Sequence, residues 1–216
     1  MSTLLESEIN SKEDALRIAN DPEVRELGDA YALLARVYAG PRFTWEESNF
    51  PEDNMRTYQC LHDSIRRCSP IGTLQALRIK GSITPTVEKD MQISFDDAFR
   101  IVHDYAEQDD AYCQYVIGNV FFWRDDNRIE AAKDMIMPPP LSLAKRIHRS
   151  LQSGSIHDRI AALQGTVPDE KLQENASELA KRWLNKALYN GLAMFQGNLR
   201  NICLLYTSEL PTNSRV

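Results

Sequence analysis

The sequence predicts an all-α fold, an α/α solenoid of three to four irregular antiparallel helical hairpins. Three observations lead to this prediction. Apolar residues recur at spacings of three and four through most of the 216 residues, which is the period of an amphipathic helix. Runs of β-branched residues are scarce, which argues against a β fold. One residue pattern also returns 36 positions later, as expected for stacked helical units.

Charge and composition narrow the function classes. The chain has a net charge of −6 at pH 7, which disfavours nonspecific nucleic-acid binding because that binding needs a basic face. No stretch reaches the roughly 18 apolar residues of a membrane span, and the acidic N-terminus lacks the apolar core of a secretory signal. The four cysteines form no CxxC pair. We therefore expect a cytoplasmic protein with free cysteines and no cofactor.

Capping and breaking residues set the boundaries of the predicted helices. Ser11 and Ser94 are suitable N-caps, Pro22 suits a first helical position, and Gly40 ends a helix. The predicted helices cover residues 12–20, 23–38, 54–67, 71–80, 95–107, 110–124, 127–137, 142–152, 157–163, 169–189 and 192–206. The other long segments are expected to lack helices: the loose lead at 1–11, the connections at 41–53 and 81–94, and the flexible tail at 207–216.

Two of these helices carry specific packing predictions. The helix over 23–38 is expected to turn one apolar stripe inward, formed by Leu27, Ala30, Tyr31, Leu34, Val37 and Tyr38. The helix over 110–124 is apolar on two faces, which requires two neighbouring helices. Its Gly118 costs about 1 kcal/mol relative to alanine in a helix interior, so we expect a neighbouring helix to approach closely there. Because only two residues separate this helix from the preceding one, the two should form a hairpin.

The repeated pattern links the helices over 142–152 and 169–189. The tetrapeptide Leu-Ala-Lys-Arg stands at 143–146 and again at 179–182. In both copies, further residues of the packing face follow at the third and seventh positions after the alanine: Ile147 and Leu151, then Trp183 and Ala187. A helical hairpin of this kind cannot bury both faces alone, so such units stack and leave a concave surface.

These residues resemble the Sel-one-like repeat, a relative of the tetratricopeptide repeat. One helix of that unit has the form A-x-x-W-Y-x-x-A-A-x-x-G, which is matched best by Ala180, Trp183, Leu184, Ala187, Leu188 and Gly191. The other has the form A-x-Y-x-L-G-x-x-Y, which is matched by Cys113, Tyr115, Ile117, Gly118 and Phe121, and in part by Ala30, Leu34, Ala35 and Tyr38. In the first of these matches, Cys113 stands in place of the alanine, and Phe121 stands in place of the last tyrosine. The resemblance covers residues 28–205 of a single domain, 1–216, whose connections at 41–53 and 124–141 are unusual for the family.

The resemblance implies a bacterial protein–protein interaction scaffold, an adaptor or an inhibitor of the toxin-neutralising immunity type. A partner protein would lie in the helical groove, and the acidic chain favours a basic partner. Tyrosine, tryptophan and arginine dominate protein-binding hot spots. On this basis, with the neighbouring phenylalanine, the predicted partner-binding residues are Trp123, Arg124, Tyr112, Phe122 and Trp45.

Two alternatives remain open. A small all-α enzyme would have its site between the 41–53 connection and the end of the 110–124 helix. Self-association would use the last hairpin, where Phe195, Leu199 and Ile202 have no following unit to cover them. The sequence contains no catalytic or phosphate-binding motif and no zinc spacing among its histidines. The acidic pairs at 96–97, 109–110 and 125–126 suit capping and turn roles. We therefore expect no catalytic residue, metal ligand, nucleic-acid partner or membrane.

Overall fold

Eleven α-helices and one 3₁₀ turn make up the described part of the computed structural model, which comprises residues 11–39, 52–78 and 84–191. Every regular element in these ranges is helical, which confirms the all-α class. The helices are α1 (Lys12–Asn20), α2 (Pro22–Tyr38), α3 (Asn54–Arg66), α4 (Pro70–Ala76), α5 (Thr84–Asp90), α6 (Phe95–Glu107), α7 (Ala111–Phe122), α8 (Glu130–Ile136), α9 (Leu143–Gln152), α10 (Ile156–Gln164) and α11 (Asp169–Tyr189), with the 3₁₀ turn at Asp125–Arg128. None of the helices in these ranges has the length and apolar character needed to cross a membrane.

The helix starts follow the predicted caps. The Ser11 hydroxyl accepts a hydrogen bond from the Asp14 amide, and the Ser94 hydroxyl accepts one from the Asp97 amide. Helix α5 was not predicted, because the 81–94 segment has turn residues and little apolar periodicity. Its Val87 is buried in a small core with α2, α3 and α4, so tertiary packing stabilises this short helix. The predicted helix over 192–206 lies outside the described residues.

Helix α7 lies at the centre of the main core. Its residues 113–121 are all buried, and α6 packs against one side while α11 packs against another. The prediction of two apolar faces is therefore confirmed, as is the α6–α7 hairpin. Helix α11 lies close to α7 at Gly118, where an added Cβ would lie 2.6 Å from Leu184 Cγ. This contact confirms that the glycine allows close helix packing.

The predicted inward stripe of α2 is wrong. Leu27, Ala30 and Leu34 are exposed, whereas the buried residues of this helix are Arg25, Gly28, Ala32, Ala35 and Arg36. The buried face carries the small residues, and they let the helices approach closely. An added Cβ on Gly28 would lie 3.1 Å from Arg67 Cβ, and the Ser64 hydroxyl of α3 donates a 2.7 Å hydrogen bond to the Gly28 carbonyl. Close approach, rather than side-chain size, therefore decides which face is buried.

Helices α9 and α10 form a hairpin, residues 143–164, that packs chiefly against itself. We call it the arm hairpin. Its interior is built from small residues, of which Ser150 and Ala162 are buried. Gly165 follows α10 with a φ of 77°, a left-handed conformation that glycine adopts without steric cost. The chain then continues into α11, whose N-terminal end is therefore close to the arm hairpin.

Candidate protein-binding surfaces

Trp123 and Phe122 form an aromatic pair at the end of α7. Their ring centroids are 4.8 Å apart in an edge-to-face arrangement, which is a favourable aromatic geometry. Trp123 is 47% exposed, and Phe122 is half-buried against the main core. A partner protein could therefore contact the indole directly while Phe122 supports it from below.

Arg124 follows this pair in a left-handed backbone conformation, with a φ of 60°. Its Nε lies 3.1 Å from Asp126 Oδ1, and the Asp126 side chain is almost fully buried. The ion pair fixes the reversal of the chain after α7. A partner that used the half-buried Arg124 guanidinium would have to compete with this buried carboxylate, so Arg124 has a structural role in the fold.

Tyr112 lies at the other end of α7, about 16 Å from Trp123 along the helix axis. It is half-buried, and its hydroxyl accepts a 3.1 Å hydrogen bond from Gln75 Nε2. Its ring stacks on that of Tyr115, with 6.4 Å between centroids, and Arg36 donates a hydrogen bond to the Tyr115 hydroxyl. Burial raises the pKa of the Tyr112 hydroxyl. The structure therefore does not bring Tyr112 and Trp123 into one site.

An ion pair between Arg78 and Asp125 ties the end of α4 to the 3₁₀ turn. The Arg78 Nε and Asp125 Oδ2 atoms are 3.1 Å apart, and both side chains are largely buried. Burial lowers the pKa of Arg78 and raises the pKa of Asp125, because a low-polarity environment disfavours both charged forms. The acidic pair at 125–126 was predicted to serve a turn. Both residues lie in the 3₁₀ turn, and their ion pairs with Arg78 and Arg124 fix this turn after Trp123.

Trp45 and most of the 41–53 connection lie outside the described residues, so the site proposed for the enzyme alternative is not placed. Among residues 11–39, 52–78 and 84–191, no group of histidine, cysteine, aspartate or glutamate side chains could hold a metal ion. One residue of each of the other acidic pairs has a partner that explains its position. Asp97 Oδ2 lies 2.8 Å from Lys12 Nζ, and Asp110 accepts a 2.7 Å hydrogen bond from the Cys113 amide at the start of α7.

The arm hairpin exposes an apolar surface. The repeated pattern predicts that Ile147 and Leu151 lie on a packing face, but both are exposed in the structure. Six large aliphatic side chains on it are between 44% and 77% exposed. They form one stripe on α9 (Leu143, Ile147 and Leu151) and one on α10 (Ile156, Ile160 and Leu163). Spacings of three and four place the members of each stripe on one side of their helix. The small residues at the hairpin interface were the signal that these larger side chains would point elsewhere.

The repeated tetrapeptide has different surroundings in its two copies. In α11, Ala180, Trp183 and Ala187 are buried, and α7 covers this helix. In α9, the equivalent residues Ala144, Ile147 and Leu151 are all exposed. The stripe on α9 therefore has the pattern of a helix-packing face, without a covering helix in the described part of the chain.

No family model matches the chain, and neither a curated protein nor a solved structure matches it. The function is therefore argued from the surfaces described above.

Proposed function

We propose that this chain is a protein-interaction module of the helical-repeat type, which binds a partner protein through the arm hairpin. The observation that carries the proposal is the pair of exposed aliphatic stripes on α9 and α10. Large contiguous apolar patches are uncommon on the surfaces of monomeric proteins and mark interaction sites. Burial of about 25 cal/mol per Å² of apolar surface would drive association there.

The residues that resemble the Sel-one-like repeat support the same proposal, because such repeats stack to present long binding surfaces. An adaptor or inhibitor role, including neutralisation of a toxin, is part of this proposal by resemblance. The Trp123–Phe122 pair would provide a second contact, since an exposed tryptophan supported by a neighbouring ring is a frequent hot spot. Arg124 would lie at its rim, and Tyr112 would contribute only if the partner extended along α7.

Copurification from the source cell tests the proposal. Tagged wild-type protein is compared with Ile160→Asp on the α10 stripe and with Gln152→Asp, a matched control on the arm hairpin outside both stripes. Partners are quantified by mass spectrometry, and circular dichroism verifies that each variant is folded. We expect a stoichiometric partner protein that is lost with Ile160→Asp and retained with Gln152→Asp. Equal recovery with both folded variants would rule out the arm hairpin as the binding surface. Trp123→Ala tests the second contact in the same assay.

A further inference from the structure

The chemistry around the two stripes indicates what kind of protein they bind. At 3.6 residues per turn, Arg146 and His148 lie about 100° to either side of the α9 stripe. On α10, His157 and Arg159 flank the stripe at roughly 90° and 70°. The rims of both stripes therefore carry arginine and histidine side chains and no carboxylate.

The one carboxylate of the arm hairpin, Asp158, lies roughly opposite the α10 stripe, about 165° around the helix. Its Oδ2 accepts a 2.6 Å hydrogen bond from the Ser155 hydroxyl at the start of α10, so it serves the helix end. Residues 143–164 contain four lysine or arginine residues and this single acid, a net charge of +3 within a chain of −6. The arm hairpin is thus a basic region of an acidic protein.

Two of these positive charges are held in place beside the stripes. Arg146 Nη1 donates a 3.1 Å hydrogen bond to the Leu163 carbonyl, and Arg159 Nε donates a 3.0 Å hydrogen bond to the Ser153 carbonyl. Because the backbone anchors both guanidinium groups, less side-chain entropy is lost when a partner carboxylate binds them. This arrangement favours a partner with acidic residues next to its apolar face.

The repeated tetrapeptide indicates that the apolar occupant is a helix. In α11, the face that follows this tetrapeptide is covered by α7, and Gly118 of α7 allows the close approach. The corresponding face of α9 has alanine and aliphatic residues at the same positions. Within this protein, a face of this kind therefore packs against another helix. We expect the occupant of the α9 face to be a helix with small or aliphatic residues.

Other occupants fit less well. A lipid bilayer fits less well because the stripes lack the tryptophan and tyrosine of membrane interfaces. The 21 residues of α11 span about 31 Å, so its last residue, Tyr189, lies far from the end of α11 that is next to the arm hairpin. Two copies that met through their arm hairpins would bring net charges of equal sign together.

We propose that the arm hairpin docks an amphipathic helix of another protein, whose aliphatic stripe is flanked by aspartate and glutamate. The inference rests on the proposed function, which is that this hairpin binds a protein. It differs from the expectation of a basic partner, which followed from the net charge of the whole chain. The local charge of the docking surface has the opposite sign.

Fluorescence anisotropy with two labelled synthetic helical peptides tests the inference on the full-length protein. The peptides share one leucine stripe and differ only in flanking residues, glutamate in one and lysine in the other. We expect the acidic peptide to bind at least about tenfold more tightly at low salt, with a smaller difference at high salt. Ile160→Asp should abolish binding, and Gln152→Asp should not. Arg146→Gln/Arg159→Gln should reduce the preference for the acidic peptide, while Lys145→Gln/Arg149→Gln, on the far side of α9, should reduce it less.

Four outcomes would overturn the inference. These are equal or tighter binding of the lysine peptide, no binding of either peptide, stripe-dependent binding to phosphatidylserine vesicles without acidic-peptide binding, and self-association in sedimentation that Ile160→Asp removes. The copurification assay separates this failure from failure of the proposed function. If partner recovery still depends on Ile160, the arm hairpin binds a protein of other chemistry. If recovery is independent of Ile160, both proposals fail.

Discussion

The contact between α7 and α11 at Gly118 leads to a quantitative prediction for Gly118→Ala. The new Cβ would lie 2.6 Å from Leu184 Cγ and 3.2 Å from the Leu184 backbone nitrogen. The side chain can change its rotamer, but the backbone nitrogen moves only if α11 shifts. Helix propensity alone would stabilise the variant by about 1 kcal/mol, whereas overpacking of a dense core costs about 1–3 kcal/mol. Because one contact is to backbone, we expect a net loss of about 1–2 kcal/mol.

Urea unfolding followed by far-ultraviolet circular dichroism measures this loss. Gly154→Ala is the matched control, because an added Cβ there meets no atom within 4 Å. We expect a lower unfolding midpoint for Gly118→Ala with an unchanged m-value, and a midpoint for Gly154→Ala at or slightly above that of the wild type. If Gly118→Ala were as stable as the wild type, the close approach of α11 to α7 would be wrong.

Three further predictions concern buried groups. Trp183 is fully buried, whereas Trp123 is 47% exposed. Urea unfolding should show that Trp183→Ala lowers the free energy of unfolding by about 3–5 kcal/mol and that Trp123→Ala lowers it clearly less. Equal losses would contradict the burial of Trp183. Asp125→Ala leaves a buried guanidinium without its carboxylate and should cost about 3 kcal/mol in the same assay, and an unchanged midpoint would show that the ion pair is not formed. Burial raises the pKa of Cys68 to about 11, and only the thiolate reacts. Iodoacetamide at pH 8 should therefore modify the half-buried Cys60 before Cys68, as peptide mass spectrometry would show. Modification of Cys68 at the same rate would refute this, and its rate should rise as the pH approaches 11.

Most helices could be predicted from the sequence, because capping residues and breakers act locally. Ser11 and Ser94 each accept a hydrogen bond from a backbone amide three residues further on, and Pro22 stands at the start of α2. Helix α5 depends instead on the burial of Val87 against other helices, which no local pattern records. The wrong prediction of the buried face of α2 also arises because tertiary packing decides which face is buried. On α2 the apolar pattern predicts that the most apolar stripe is buried, but the dense junction with α3 and α4 buries the face that carries Gly28.

The candidate site was less predictable than the fold. Hot-spot residue types drew attention to α7, yet eleven positions along a helix separate Tyr112 from Trp123 by about 16 Å. Periodicity predicts which residues lie on the same side of a helix, but it does not predict whether a neighbouring helix covers that side. The α9 and α11 copies of the repeated tetrapeptide have the same local pattern, and only tertiary structure distinguishes the buried copy from the exposed one.

The exposed stripes also allow a test of whether they serve docking or folding. Leu151 and Ile156 are 76% and 77% exposed, so they lose little of their water-accessible surface when the chain folds. Leu151→Gln/Ile156→Gln should therefore change the free energy of unfolding by no more than about 0.5 kcal/mol, while it weakens partner recovery in the copurification assay. A loss of more than about 2 kcal/mol would show that these residues belong to a folded core, and the docking proposal would then lose its main support. Such apolar side chains are costly to expose to water and do not stabilise the fold. Their exposure therefore indicates that a partner covers them.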